Sequence, residues 1–167
     1  MTVDLYTDAG LKNGVGTWAF VLVVPGVEPI EASGRFRKDG LACAITAELR
    51  TIANALHRLK RSGYVVSGTE VRVITDCKHA VERIKGQSFK RTTPRMAEAL
   101  AAIEAQAVGL VLIPQWVKGH QPENSTDPRA VWNRRCDALA TKARALPRPT
   151  TARRHHSIAK KLMGAAT

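Results

Sequence analysis

The sequence predicts an α/β fold: one mixed five-stranded sheet, three antiparallel strands followed by parallel ones, flanked by helices. Three observations lead there. The first 37 residues hold short apolar and β-branched runs separated by closely spaced turn signals, as antiparallel hairpins do. Beyond them the hydrophobic period turns helical, and helices and strands then alternate, which suits parallel pairing. A chain of 167 residues, 44% hydrophobic and 24% charged, also has the length and composition of one domain with a real core.

The elements follow in order. Residues 3–7 form a short first strand, and 10–16 a turn. Residues 17–24 are a β-branched and aromatic run stopped by Pro25-Gly26, and a third extended stretch covers about 28–37. Ile45, Leu49, Ile52, Ala53, Leu56 and Leu59 recur at helical spacing, so about 45–62 is an amphipathic helix ending near Gly63. Residues 70–75 read as a strand, 78–84 as a short helix, 93–107 as an Ala-rich helix and 111–117 as the last strand. A polar loop over 118–129 precedes a helix over about 130–145. After Pro147 the composition shifts: residues 148–167 carry five Lys or Arg and no acid. This divides the chain into a main domain, 1–146, and a basic tail, 147–167, with a helical turn expected around 158–163.

No apolar run approaches the roughly 20 residues that span a bilayer, and the first residues lack the layout of a secretory signal. The three cysteines, Cys43, Cys77 and Cys136, are odd in number and far apart, which argues against a disulfide framework and a zinc finger. A monomer in the cytoplasm is expected, with no membrane association. Lys and Arg number 26 against 14 Asp and Glu, a formal net charge of +12. That excess favours a polyanion, since each neutralised phosphate releases condensed counterions.

In so basic a chain the acids are informative. Two strands end alike, in Thr7-Asp8 and Thr75-Asp76. Were these strands parallel neighbours, about 4.8 Å apart, their aspartates would converge at the carboxyl end of the sheet, where ligands bind. Glu48 falls on the margin of the helix's apolar stripe, where a carboxylate must be paired, protonated or bound to metal. Asp137 stands in the early turns of the last helix, where a helix N-terminus would welcome it. Taken together, an oxygen-only cluster suits Mg²⁺ or Mn²⁺, and in a basic protein it suggests two-metal phosphodiester hydrolysis.

The order Tyr6-Thr7-Asp8, Thr46-Ala47-Glu48-Leu49, Ile74-Thr75-Asp76, Trp116-Val117-Lys118-Gly119-His120 and Asn133-Arg134-Arg135-Cys136-Asp137 resembles ribonuclease HI, over about residues 3–145. The resemblance implies a ribonuclease H-like fold and Mg²⁺-dependent cleavage of the RNA strand of RNA–DNA hybrids, leaving 5′-phosphate and 3′-hydroxyl ends. It makes Asp8, Glu48, Asp76 and Asp137 ligands of two metal ions, with Asp8 bridging both. His120 would assist proton transfer or product departure from its loop. Trp116, on a strand, is expected in the core.

The chain also departs from that family. Asp8-Ala9-Gly10 replaces Asp-Gly-Ser, Pro122 replaces a glycine, and Leu41-Ala42-Cys43-Ala44-Ile45 stands where the family tends to have hybrid-contacting polar residues. The family's long basic handle gives way to Lys85-Gly-Gln-Ser-Phe89-Lys90-Arg91-Thr-Thr-Pro-Arg95. There Lys85, Lys90, Arg91 and Arg95 are candidates for phosphates of the uncleaved strand and Phe89 for a sugar or base. Asn13, Arg153 and Arg154 are further candidates. Two other functions stay open: a nuclease of the same fold acting on structured DNA such as junctions, and a non-catalytic nucleic-acid-binding module.

Overall fold

The computed structural model describes residues 1–37, 43–87, 89 and 91–147. Its elements are β1 (Thr2–Lys12), β2 (Val15–Val23), β3 (Ile30–Arg35), α1 (Ala44–Arg61), β4 (Glu70–Thr75), α2 (Lys78–Ile84), α3 (Pro94–Ala107), β5 (Val111–Trp116) and α4 (Pro128–Ala143). The strands make one sheet in the order β3-β2-β1-β4-β5. β1–β2 and β2–β3 pair antiparallel, and β1–β4 and β4–β5 parallel. The mixed sheet read from the sequence is therefore the one found.

Its first hairpin is longer than expected. The turn assigned to 10–16 shrinks to Asn13 (φ 51°) and Gly14 (φ 73°), both left-handed. Asn-Gly suits a two-residue type I′ turn, whose twist matches that of the flanking strands, so pairing runs on to Lys12↔Val15. Asn13, a candidate nucleic-acid contact, thus has a backbone role at the hairpin tip. The third strand is shorter than expected, Ile30–Arg35.

The last helix starts at Pro128, not 130. Asp127 Oδ1 accepts from the backbone N–H of Arg129 at 2.9 Å, and proline takes the first helical position, where its missing N–H costs nothing. Asp137 consequently lies past the middle of α4 rather than in its early turns, and proximity to a helix N-terminus no longer explains it. The basic tail, with Arg153, Arg154 and the turn expected at 158–163, lies outside the described residues, as does Lys90.

Alternation along the strands feeds two cores. One joins Val3, Leu5, Phe20, Leu22, Val71 and Val73 to Leu49, Ile52 and Leu56 of α1 and Met96 and Ile103 of α3. On the opposite face Tyr6, Val21 and Ile74 meet Val117 and Cys136 of α4. A bidentate pair fixes α4 at the sheet edge: Arg135 Nε and Nη2 donate to the Glu31 carboxylate of β3 at 2.6 and 2.7 Å. With α1 on one face and α4 on the other, the carboxyl ends of β1 and β4 lie between two helices.

Candidate active site

The parallel register of β1 and β4 pairs Leu5 with Val73 and Tyr6 with Ile74. Two residues further, the same register brings Asp8 level with Asp76. Glu48 reaches them from α1. One oxygen from each of Asp8, Glu48 and Asp76 lies within 4.8 Å of the others. The two matching Thr-Asp pairs and the marginal glutamate of the sequence are thus one cluster, although only Asp76 follows a strand end, since β1 runs on past Asp8 to Lys12.

The Glu48 carboxylate is held by a backbone amide and a hydroxyl. The N–H of Ala9 donates to Glu48 Oε1 at 3.1 Å, and Thr75 Oγ1 donates to Oε2 at 3.3 Å. Thr75 Oγ1 itself accepts from the N–H of Cys77 at 3.1 Å. Asp76 is flanked by two features whose roles the sequence does not disclose. Gly119 packs so closely that a Cβ there would stand 2.5 Å from Asp76 Oδ2. Buried Asn133 of α4 faces the Asp76 carboxylate, and its amide holds that pKa down against the larger, opposite effect of burial. Both residues sit inside the family-like motifs, but only a three-dimensional neighbour gives them meaning.

The cluster is electrostatically unbalanced. Burial, then the charges of Asp76 and Asp137, push Asp8 from 3.8 up to about 7. Burial, then Asp8 and Asp76, drive Glu48 well above the ordinary carboxylate range. Burial also raises Asp76, while Asn133 and His120 oppose it. Three acids sharing a dry site favour protonation unless positive charge enters. All the donors are hard oxygens, and no Cys or His belongs to the tight group, so a divalent cation such as Mg²⁺ or Mn²⁺ fits.

Asp137 and His120 stand at the rim. Asp137 is exposed and outside the tight group, yet near enough for its charge to raise both Asp8 and Asp76. His120 is exposed on the loop after β5, left-handed at φ 50°, and its charge bears on the same two aspartates. That loop is tied to α4: Arg134 Nη1 donates to the carbonyl of Pro122 at 2.8 Å and Nη2 to that of Glu123 at 3.2 Å.

Trp116 corrects an expectation. It is 48% exposed rather than in the core, because it ends the edge strand β5, where no further strand covers it. Its indole N–H donates to the Asp76 carbonyl at 3.0 Å, steadying the backbone that carries the carboxylate.

Of the candidate nucleic-acid contacts, Lys85, Arg91 and Arg95 are exposed between α2 and the start of α3. Phe89 is half-buried, with the Arg83 guanidinium 3.8 Å over its ring and His79 edge-on at 6.2 Å. One face of that ring is already occupied.

The RNase H family model matches residues 1–145. The chain belongs to the RNase H family. It is a ribonuclease H, a hydrolase, and the carboxylate cluster lies within the matched region. Its fold is shared by RNase H1 of the halophilic archaeon Halobacterium salinarum at 18% identity and a TM-score of 0.67, over 86% of this chain and 97% of that one. The N-terminal RNase H domain of a Mycobacterium tuberculosis protein matches at 21% and 0.65, over 85% and 92%. LC11-RNase H1, solved in complex with an RNA/DNA hybrid, matches at 21% and 0.65, over 84% and 95%. No curated protein matches the chain in sequence. Among the described residues of this ribonuclease H, no helix is long and apolar enough to cross a membrane.

Proposed function

We propose that this ribonuclease H hydrolyses the RNA strand of RNA–DNA hybrids, leaving 5′-phosphate and 3′-hydroxyl ends. Two divalent cations, Mg²⁺ or Mn²⁺, would be held by Asp8, Glu48, Asp76 and Asp137. The observation that carries this reading is the gathering of Asp8, Glu48 and Asp76 oxygens within 4.8 Å, just past the end of the parallel pairing of β1 and β4. Bound there, the cations would activate water and offset charge on the leaving oxygen. Supporting the substrate assignment are the net charge of +12 and the likeness in fold to a ribonuclease bound to an RNA/DNA hybrid.

The chain's own residues do the rest. Asp8, level with Asp76 across the β1–β4 pair, would be a ligand of the cations, shared by both as the family resemblance implies. Glu48, anchored by Ala9 and Thr75, keeps one oxygen edge turned to the cluster without rotational freedom. His120, on the loop after β5, would assist proton transfer or product departure. Residues 1–146 would form the catalytic unit, acting as a monomer. The tail 147–167 and the basic segment around Arg91 add affinity for phosphates.

The test incubates the protein with a labelled RNA–DNA hybrid in Mg²⁺, beside duplex DNA, duplex RNA and a four-way DNA junction, with Asp76→Asn as control. Cutting of the hybrid alone, lost in the variant, is expected. Junction cutting would transfer the function to structured DNA, and binding without any cutting would leave a nucleic-acid-binding module.

A further inference from the structure

Alternation along β1 puts Asp8, Gly10 and Lys12 on one face, the face that α4 covers, with Cα atoms about 7 Å apart at each step. Over Gly10 lies the side chain of Arg144, the residue that caps the C-terminus of α4. A Cβ at Gly10 would stand 3.2 Å from Arg144 Nη2 and 2.5 Å from Thr17 Oγ1, so the glycine makes room for the guanidinium. Arg144 is half-buried and its Nε, shut off from water, has no hydrogen-bond partner. Among the described residues the guanidinium pairs with no carboxylate. Just beyond it the chain is fixed to β3, where Arg35 Nη1 donates to the carbonyl of Leu146 at 3.0 Å.

A held, uncompensated guanidinium one strand step from the carboxylate cluster has an obvious complement. We infer that Arg144, with exposed Lys12 one step further, forms a phosphate-binding subsite for the backbone of the cleaved strand, one to two nucleotides from the scissile bond. The inference rests on the hybrid-cleavage reading for which strand is bound, but not for the affinity of the subsite for phosphate. Arginine suits the task because its planar fork meets two oxygens of one phosphate. Its partial burial also means that little side-chain freedom is left to lose on binding. The opposite signs of the two neighbours separate their tasks: the acids take cations, and Arg144 takes the anionic backbone.

Steady-state cleavage of an RNA–DNA hybrid by the wild type, Arg144→Met and Lys12→Met tests this. Alongside it, binding of the same hybrid is measured without divalent metal, over a series of salt concentrations, for Asp76→Asn with and without each change. Arg144→Met is expected to raise KM about tenfold with kcat within about twofold. It should also make the dependence of log Kd on log salt shallower by about one unit. Lys12→Met, at an exposed position that folding does not need, should lower the slope likewise. One methylphosphonate placed one or two nucleotides from the cleavage point should cost the wild type the same factor and the Arg144→Met variant nothing further. An unchanged KM and salt slope in both variants, or a methylphosphonate loss equal in wild type and Arg144→Met, overturns the subsite. If the wild type cuts no hybrid, the cleavage reading fails, while the salt slope still decides whether Arg144 binds a phosphate.

Discussion

Replacing Asp8 by Asn should stabilise the metal-free protein while removing its activity. The carboxyl of Asp8, only 7% exposed, is pushed from 3.8 to about 7 by burial and by its acidic neighbours. Holding it ionised at pH 8 therefore costs the folded state up to about 4 kcal/mol. Part of that cost is shared with Asp76 and Asp137, and a buried amide still needs partners, so a gain of about 2–3 kcal/mol is expected. In a chain of this size that raises the melting temperature by about 5–10 °C. The sign with pH follows from proton binding. The folded wild type holds the extra proton between about pH 4 and pH 7, so its stability falls as pH rises through that window and levels off above it. Below pH 4 Asp8 is protonated in both states and the advantage of the variant disappears. Thermal unfolding of both proteins from pH 4 to pH 8, in EDTA and in Mg²⁺, reads all of this. Mg²⁺ should close much of the gap at pH 8, because it binds the folded wild type and offsets the repulsion among the ionised carboxylates, while cleavage by the variant falls more than about a hundredfold. Equal melting at pH 8 without metal, or a gain that persists at pH 4, would refute the account of the cluster.

Three further outcomes are expected. Gly119→Ala, which drives a methyl to 2.5 Å from Asp76 Oδ2, should lower kcat about ten- to a hundredfold with hybrid affinity little changed; single-turnover rates beside Kd measurements check it. Arg134→Met removes both bonds to the His120 loop. Proteolytic nicking within 117–127 should then rise, and kcat should fall more than melting temperature, whereas an intact loop would deny Arg134 that role. Removing residues 148–167 deletes five cationic side chains. Hybrid binding should weaken and its salt slope drop by up to about 0.9 for each phosphate no longer neutralised, with cleavage at saturation kept; an unchanged slope would free the tail of any part in binding.

The sheet and the three inner carboxylates are legible in the sequence because each leaves a local signal. Period two against period 3.6 separates strands from helices, and a change of strand type follows from the length of the connections. Asp8 and Asp76 follow two similar apolar runs, although β1 goes on to Lys12, and Glu48 stands on the margin of an apolar stripe, so all three are anomalous before any neighbour is known. The hairpin tip reads too broadly because Gly10 and Gly16 resemble breakers, although only Asn13-Gly14 needs left-handed backbone. The start of α4 reads two residues late because Asp127-Pro128 resembles loop punctuation, whereas it is a cap and a first helical residue.

What is illegible depends on pairs distant in sequence. Trp116 resembles a core residue because aromatics on strands usually are, and nothing local announces that β5 is an edge. Gly119 and Asn133 acquire a reason only once Asp76 is beside them, and Gly10 only once Arg144 lies over it. The same holds for electrostatics. Asp8, Glu48 and Asp76 stand out in the sequence by position, but only their gathering makes Asp76 raise Asp8 and both of them raise Glu48. That arrangement opposes folding and favours a cation, so a divalent ion bound there would restore stability that the clustered acids surrender.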